Sequence, residues 1–161
     1  MAQKFCSLDQ MNLLCQDYKN HGKTIVFTNG CFDIIHAGHV SYLGRAASLG
    51  DVLILGLNSD ASVRSIKGDK RPVICEEHRI QVVCALECVH HVVLFDAPDP
   101  LELITTIRPH VLVKGADWPE DQIVGADFVR QHQGRVERIS LEPGLSTTRI
   151  IQRIGVLYYG Q

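Results

Sequence analysis

The sequence predicts an α/β domain: a five-stranded, mainly parallel sheet with helices on both faces. Three observations carry this. Short apolar runs such as Thr24-Ile25-Val26-Phe27 recur along the chain and alternate with stretches of helical period. Val52-Leu53-Ile54-Leu55-Gly56-Leu57 is apolar throughout instead of alternating, as a parallel strand covered on both faces requires. Polar clusters, Asn29-Gly30, Asn58-Ser59-Asp60 and Lys114-Gly115-Ala116-Asp117, stand at the carboxyl ends of the runs, where open parallel sheets gather ligands. The length of 161 residues makes residues 1–161 one domain, with an N-terminal helix over about 7–20 and a core over about 24–154.

Ser7 to Tyr18 reads as a helix capped by Ser7 or Asp9, with Leu8, Met11, Leu14 and Cys15 as its apolar stripe, covering one edge of the sheet. The first strand, 24–27, is followed by a glycine turn and a helix over Val40 to Leu49. The second strand, 52–57, ends at Ser59 and Asp60, either of which suits a cap for a short helix through Val63 or a ligand contact. Arg64 to Pro72 reads as a basic, flexible loop, placed to close over a polyanion. A helix follows over Cys75 to Val89, with Glu76 and Glu77 in its first turn and Arg79 as the polar exception on its apolar stripe, able to reach back toward the crevice. His90 to Asp96 is the third strand, on which adjacent histidines point to opposite faces and form no pair. Leu101 to Ile107 is a helix, and Val111 to Val113 is the fourth strand. Val124 to Gln133 is a helix stopped by Gly134, and Arg135 to Ser140 is the fifth strand. Glu142-Pro143-Gly144 leads to a last helix, Ile150 to Leu157, capped by Ser146 or Thr147.

The stretch Thr28-Asn29-Gly30-Cys31-Phe32-Asp33-Ile34-Ile35-His36-Ala37-Gly38-His39 joins a strand to a helix start. A helix start offers unpaired N–H groups and the positive end of the peptide dipoles, which attract phosphate. His36 and His39 lie on one side of it as two donors for one anion, and Gly38 leaves room for close approach. Ser146, Thr147 and Thr148 open the last helix and supply a second such start, giving a two-sided phosphate clamp. Lys114 suits phosphate, Gly115 close approach, Asp117 a hydroxyl or amine, and Trp118 either ring stacking or packing. No metal-ligand set is predicted: neither the two histidines with Asp33 and Cys31, nor Cys84 with Cys88, has a second ligand pair at the right spacing.

Composition removes other classes. Sixteen basic and eighteen acidic residues give a net charge of −2, which supplies no basic field for nucleic acid. No apolar run approaches the ~20 residues of a membrane span. The N-terminus lacks a secretion signal's apolar segment, and the six scattered cysteines read as reduced thiols, so a cytoplasmic location is expected.

Five segments together, TNGCFDIIHAGH, LGLNSDASVRSIKGDKRP, the helix bearing Arg79, VKGADW and PGLSTTRII, span about residues 24–154. They resemble the bacterial D-glycero-β-D-manno-heptose 1-phosphate adenylyltransferases within the cytidylyltransferase-like nucleotidyltransferases. They are similar at greater distance to glycerol-3-phosphate and ethanolamine-phosphate cytidylyltransferases. Class I aminoacyl-tRNA synthetases carry a related signature on longer catalytic cores. The resemblance implies a Rossmann-like fold in which His36 and His39 engage the nucleotide phosphates, a loop cation (Lys67, Lys70 or Arg71) approaches them, and Ser146 to Thr148 bind the triphosphate from the opposite helix start. It puts Lys114 to Asp117 by the base and ribose.

The expected catalytic residues are therefore His36, His39 and Lys70. Thr28, Asn29, Gly30, Cys31, Phe32, Gly38, Lys67, Lys114, Gly115, Asp117, Ser146, Thr147 and Thr148 are expected to bind nucleotide. Asn58, Asp60, Arg79 and Trp118 are expected at the second substrate. The implied reaction transfers AMP from ATP to heptose 1-phosphate and releases pyrophosphate, with Mg²⁺ accompanying the triphosphate and no protein ligand assigned to it. The resemblance also implies a role in ADP-heptose and lipopolysaccharide precursor synthesis and, since relatives are often dimers, admits a homodimer. Many relatives carry this domain behind a sugar kinase. The methionine just ahead of the domain reads as a free-standing form supplied by a separate kinase. ATP and CTP are not distinguished by the residues themselves. A CTP-dependent enzyme for a polyol or amino-alcohol phosphate, or a non-catalytic nucleotide-binding module, shares the same motifs.

Overall fold

A computed structural model describes residues 4–140, 142 and 144–160. The strands β1 (Ile25–Gly30), β2 (Val52–Asn58), β3 (His91–Phe95), β4 (Val111–Gly115) and β5 (Arg135–Ile139) form one sheet in the order β3-β2-β1-β4-β5. Every pairing is parallel, so the expectation of a mainly parallel sheet resolves to a wholly parallel one. Chain order steps outward from β1 through β2 to β3, then returns to the other side of β1 for β4 and β5. The reversal puts a crevice above the carboxyl ends of β1 and β4.

The helices are α1 (Leu8–Asn20), α2 (Ala37–Ala47), α3 (Asp60–Lys67), α4 (Glu76–Ala85), α5 (Leu101–Ile107), α6 (Ala126–Gln131) and α7 (Thr147–Tyr159), with one 3-10 turn at Glu120–Gln122. Two cores flank the sheet. On one face Met11 and Cys15 of α1 pack with Ile25, Phe27 and Ile54 of the sheet, Ile104 and Ile107 of α5, and Val129 of α6. On the other, Leu43 and Ala46 of α2 and Val83 and Cys84 of α4 pack on Val26, Leu53, Leu55 and Val113. β2 is buried along its whole length, as its unbroken apolar run requires.

The structure corrects several boundaries. α1 lies on a sheet face instead of an edge; its Ser7 accepts from the Gln10 N–H in a reciprocal capping box. The edge strand β3 is instead extended by Lys4 to Cys6, where Val92 donates to the Lys4 carbonyl and the Cys6 N–H to the Val92 carbonyl. The helix expected to Val89 ends at Ala85, because Leu86 turns extended and brings His90 onto Leu53, whose N–H donates to His90 Nδ1 at 3.0 Å. The helix expected from Val124 starts only at Ala126. Gly125 has φ +81°, and a Cβ there would lie 2.7 Å from Ile104 Cδ1, so the chain breaks to pass close over α5. Arg64 and Lys67 belong to α3, which shortens the basic loop to the stretch after Gly68. α7 begins three residues earlier than expected, directly after its Ser146 cap. Pro143 lies outside the described residues. Among those described, no helix is long and apolar enough to cross a membrane.

Candidate active site

β1 delivers the chain to a tight turn at its carboxyl end. Phe32 takes φ +44°, a left-handed conformation uncommon for an aromatic residue, and its ring lies across Gly30, where a Cβ would sit 2.9 Å from Cε2. The turn ends at His36, the N-cap residue of α2, whose carbonyl accepts from the His39 N–H at 2.9 Å. The two imidazoles stack with centroids 3.9 Å apart, and Phe32 meets the His39 ring at 5.2 Å. Gly38 makes this possible in a way the sequence did not suggest. A Cβ there would come within 3.0 Å of His36 Cε1, so the space is taken by the ring and not kept for phosphate. The Nδ1 atoms of both histidines are buried without a hydrogen-bond partner among the described residues. Burial, then the neighbouring His36, pushes His39 down to about 4; burial lowers His36 as well. Both rings are thus neutral in the ligand-free protein at pH 7.

Around them opens a cleft of about 470 Å³. Asn29, Gly30, Cys31, Phe32, His36, Gly38 and His39 line one side, with Asn58 and Lys67 next to them. Lys114, Gly115, Asp117 and Trp118 line it from the end of β4, and Ser146, Thr147 and Thr148 from the start of α7. The Ser146 hydroxyl caps that helix by accepting from the Arg149 N–H at 3.2 Å. Two helix starts therefore line one cavity. Lys114 donates to Asn29 Oδ1, tying the ends of β4 and β1 together, and burial lowers its ammonium to about 8.

Four expected site residues stand elsewhere. Thr28 is fully buried behind the cleft, its hydroxyl 2.8 Å from that of Tyr42, and it is Tyr42 that lines the wall. Lys70 is exposed on the loop outside the cleft. Arg79 is 1% exposed and turned inward, donating to the carbonyls of Cys31 at 2.6 Å, Asn58 at 2.8 Å and Ile74 at 3.0 Å. Asp60 is held by that same guanidinium at 2.7 Å. A buried guanidinium needs several acceptors at once, and the strand ends supply them; reach toward substrate is not its use. Of the three loop cations named, Lys67 and Arg71 line the cleft; the residues missed were Asp33 and Tyr42. Tyr42 stands one helical turn after His39, a spacing that puts both on one face and was available as a signal.

A family model described as Cytidylyltransferase-like matches residues 27–153, which span every wall of this cleft. The chain belongs to the cytidylyltransferase-like family. It is thereby a nucleotidyltransferase. Among its relatives is the bifunctional protein HldE of Pelobacter propionicus, 51% identical over 151 residues, which are 94% of this chain and 31% of that protein. The HldE of Syntrophotalea carbinolica is 56% identical over 136 residues, 84% of this chain and 28% of its own. The chain thus spans about a third of the length of the curated relatives it matches. Among solved structures, a lipopolysaccharide core biosynthesis protein from Thermoplasma volcanium is 26% identical with a TM-score of 0.66, covering 75% of this chain and 99% of that one. A pantoate-β-alanine ligase from Francisella tularensis has a TM-score of 0.64 at 12% identity, covering 96% of this chain and 77% of that one; it shares the cytidylyltransferase-like fold alone.

Proposed function

We propose that this domain transfers AMP from ATP to D-glycero-β-D-manno-heptose 1-phosphate, forming ADP-heptose and releasing pyrophosphate. The observation that carries the reaction type is the meeting of two helix starts, one bearing His36 and His39 and the other Ser146 to Thr148, in the lining of one cleft. The choice of nucleotide and sugar is supported by identity of about half to the bifunctional HldE proteins and by likeness to a lipopolysaccharide core biosynthesis protein.

The sugar phosphate has a second pKa of ~6 and arrives as a nucleophile at neutral pH, so no general base is required. One of its oxygens attacks the α-phosphorus, the bond to the bridging oxygen breaks, and the electron pair leaves with pyrophosphate. The protein's task is to hold two anions in line and stabilise charge on the leaving group. His36, His39, Lys67 and the two helix starts are suited to that, with Asn29, Gly30, Cys31, Phe32 and Gly38 shaping the phosphate wall. Lys114, Gly115 and Asp117 attend the nucleoside, and Asn58 and Trp118 the sugar phosphate. Mg²⁺ enters as part of the nucleotide, held mainly by phosphate oxygens and water.

Six free cysteines favour the reducing cytoplasm as the place of reaction. The apolar stripe on α7 favours a homodimer. A pyrophosphate-release assay pairing ATP or CTP with heptose 1-phosphate, glycerol 3-phosphate and ethanolamine phosphate tests the reading. ATP with heptose 1-phosphate is the expected pair. A preference for CTP with an alcohol phosphate, or nucleotide binding without release, overturns it.

A further inference from the structure

Asp33 sits in the turn after β1 with its side chain wholly out of solvent, and its hydrogen-bond partners among the described residues come from one distant loop. The N–H groups of Val73 and Ile74 donate to it at 2.9 and 2.8 Å, and Arg71 Nε donates at 2.5 Å. Burial alone would raise this carboxyl, but the three donors outweigh it and hold Asp33 below the usual carboxylate range. On its other side the same loop is held by Arg79, whose Nε donates to the Ile74 carbonyl at 3.0 Å. Arg79 in turn grips the ends of β1 and β2 through Cys31 and Asn58. The Ile74 residue is thus pinned through its N–H by a buried carboxylate and through its C=O by a buried guanidinium. The flexible lid expected from the sequence is a fastened strap.

What the strap carries is Arg71. Among the described residues only its Nε is engaged, so the terminal nitrogens of the fork stay free in a side chain that lines the cleft. We propose that Arg71 contacts the polyphosphate through those terminal nitrogens, and that Asp33, with Arg79 behind Ile74, positions it there before substrate arrives. This rests on the nucleotidyl transfer proposed above. Because Asp33 already offsets the unit charge of Arg71, the contribution is directional hydrogen bonding and not net charge. A lysine cannot bond Asp33 through one nitrogen while offering two others in a fixed plane.

Steady-state pyrophosphate release and thermal unfolding of Arg71→Lys and Asp33→Asn test this. Arg71→Lys is expected to lower kcat about a hundredfold, with its unfolding midpoint close to wild type. In Asp33→Asn the amide oxygen still accepts from Val73 and Ile74 while its NH₂ opposes Arg71 Nε. That variant is expected to lose kcat on the order of tenfold or more by misplacing the fork. Full activity in Arg71→Lys overturns the proposal, and that variant decides the matter should Asp33→Asn fail to fold. If wild type releases no pyrophosphate with any substrate pair, the proposed reaction fails, and calorimetric ATP binding then judges the strap alone. A tenfold weaker affinity in Arg71→Lys upholds it; equal affinity overturns it.

Discussion

His36 and His39 lie ring on ring, 3.9 Å between centroids and 24° between planes, each with a buried Nδ1 that has no partner among the described residues. Two stacked imidazoles do not share that space as cations, and burial followed by His36 brings His39 from 6.5 to about 4. The folded state thus resists protonation that the unfolded chain accepts at its ordinary value. Stability of the ligand-free protein is fully present above pH 6.5 and falls as pH drops toward 4. A bound polyanion reverses the preference and raises both rings, so ATP binding near pH 6 takes up protons and strengthens as pH falls. Calorimetry in buffers of different ionisation heat measures that uptake. A value of zero throughout pH 5–7 would show that the pair does not meet the phosphates.

His39→Ala should lower turnover by on the order of 10²–10³, the usual cost of deleting one preorganised donor to a developing anion. The fold should survive, since among the described residues the ring's Nδ1 has no hydrogen-bond partner and the ring meets Phe32 and His36. The check is turnover set beside circular dichroism: a folded variant retaining most activity refutes the role.

The strand–glycine–helix pattern made the placement of His36, His39 and Ser146 to Thr148 legible, because each lies at a helix start whose direction the parallel sheet dictates. The sheet and the approximate locations of the seven helices among the described residues followed from apolar period for the same reason; only helix bounds shifted, as at the start of α6, where Gly125 serves packing against Ile104 that no local pattern records. Arg79 was misread because its acceptors are backbone carbonyls at Cys31, Asn58 and Ile74, which have no side-chain signature. Lys70 and Arg71 are neighbours of like charge, and only Asp33, far back in the chain, decides which of them turns inward.

Replacing Arg79 with leucine tests its structural reading. The change leaves three strand-end and loop carbonyls without their donor and frees Asp60 from its ion pair. Breaking a buried pair of this kind costs about 3–5 kcal/mol, and because Asp60 is partly exposed the lower end applies. Arg79→Lys should recover little, as one ammonium cannot span the same acceptors. Urea unfolding gives the number; a loss under ~0.5 kcal/mol would return Arg79 to the list of substrate contacts.

α7 has no fully buried residue, although Ile150, Ile151, Ile154, Leu157 and Tyr158 share one face at helical spacing. The first two are half-buried against the domain, and the stripe then runs on into solvent, with Ile154 44%, Leu157 63% and Tyr158 77% exposed. A helix of 13 residues is marginal in water without a packed face, and the proposed homodimer supplies one along this stripe. A second copy offers the same uncharged stripe and can pair with it about a two-fold axis. Because Ser146 to Thr148 open this helix, covering its far end also steadies one half of the phosphate clamp. Leu157→Glu is therefore expected to convert a dimer into a monomer in light scattering and to raise KM for ATP several-fold while the rest of the fold unfolds as before. A wild-type protein that is monomeric at tens of micromolar with full activity would break the link between α7 pairing and the site.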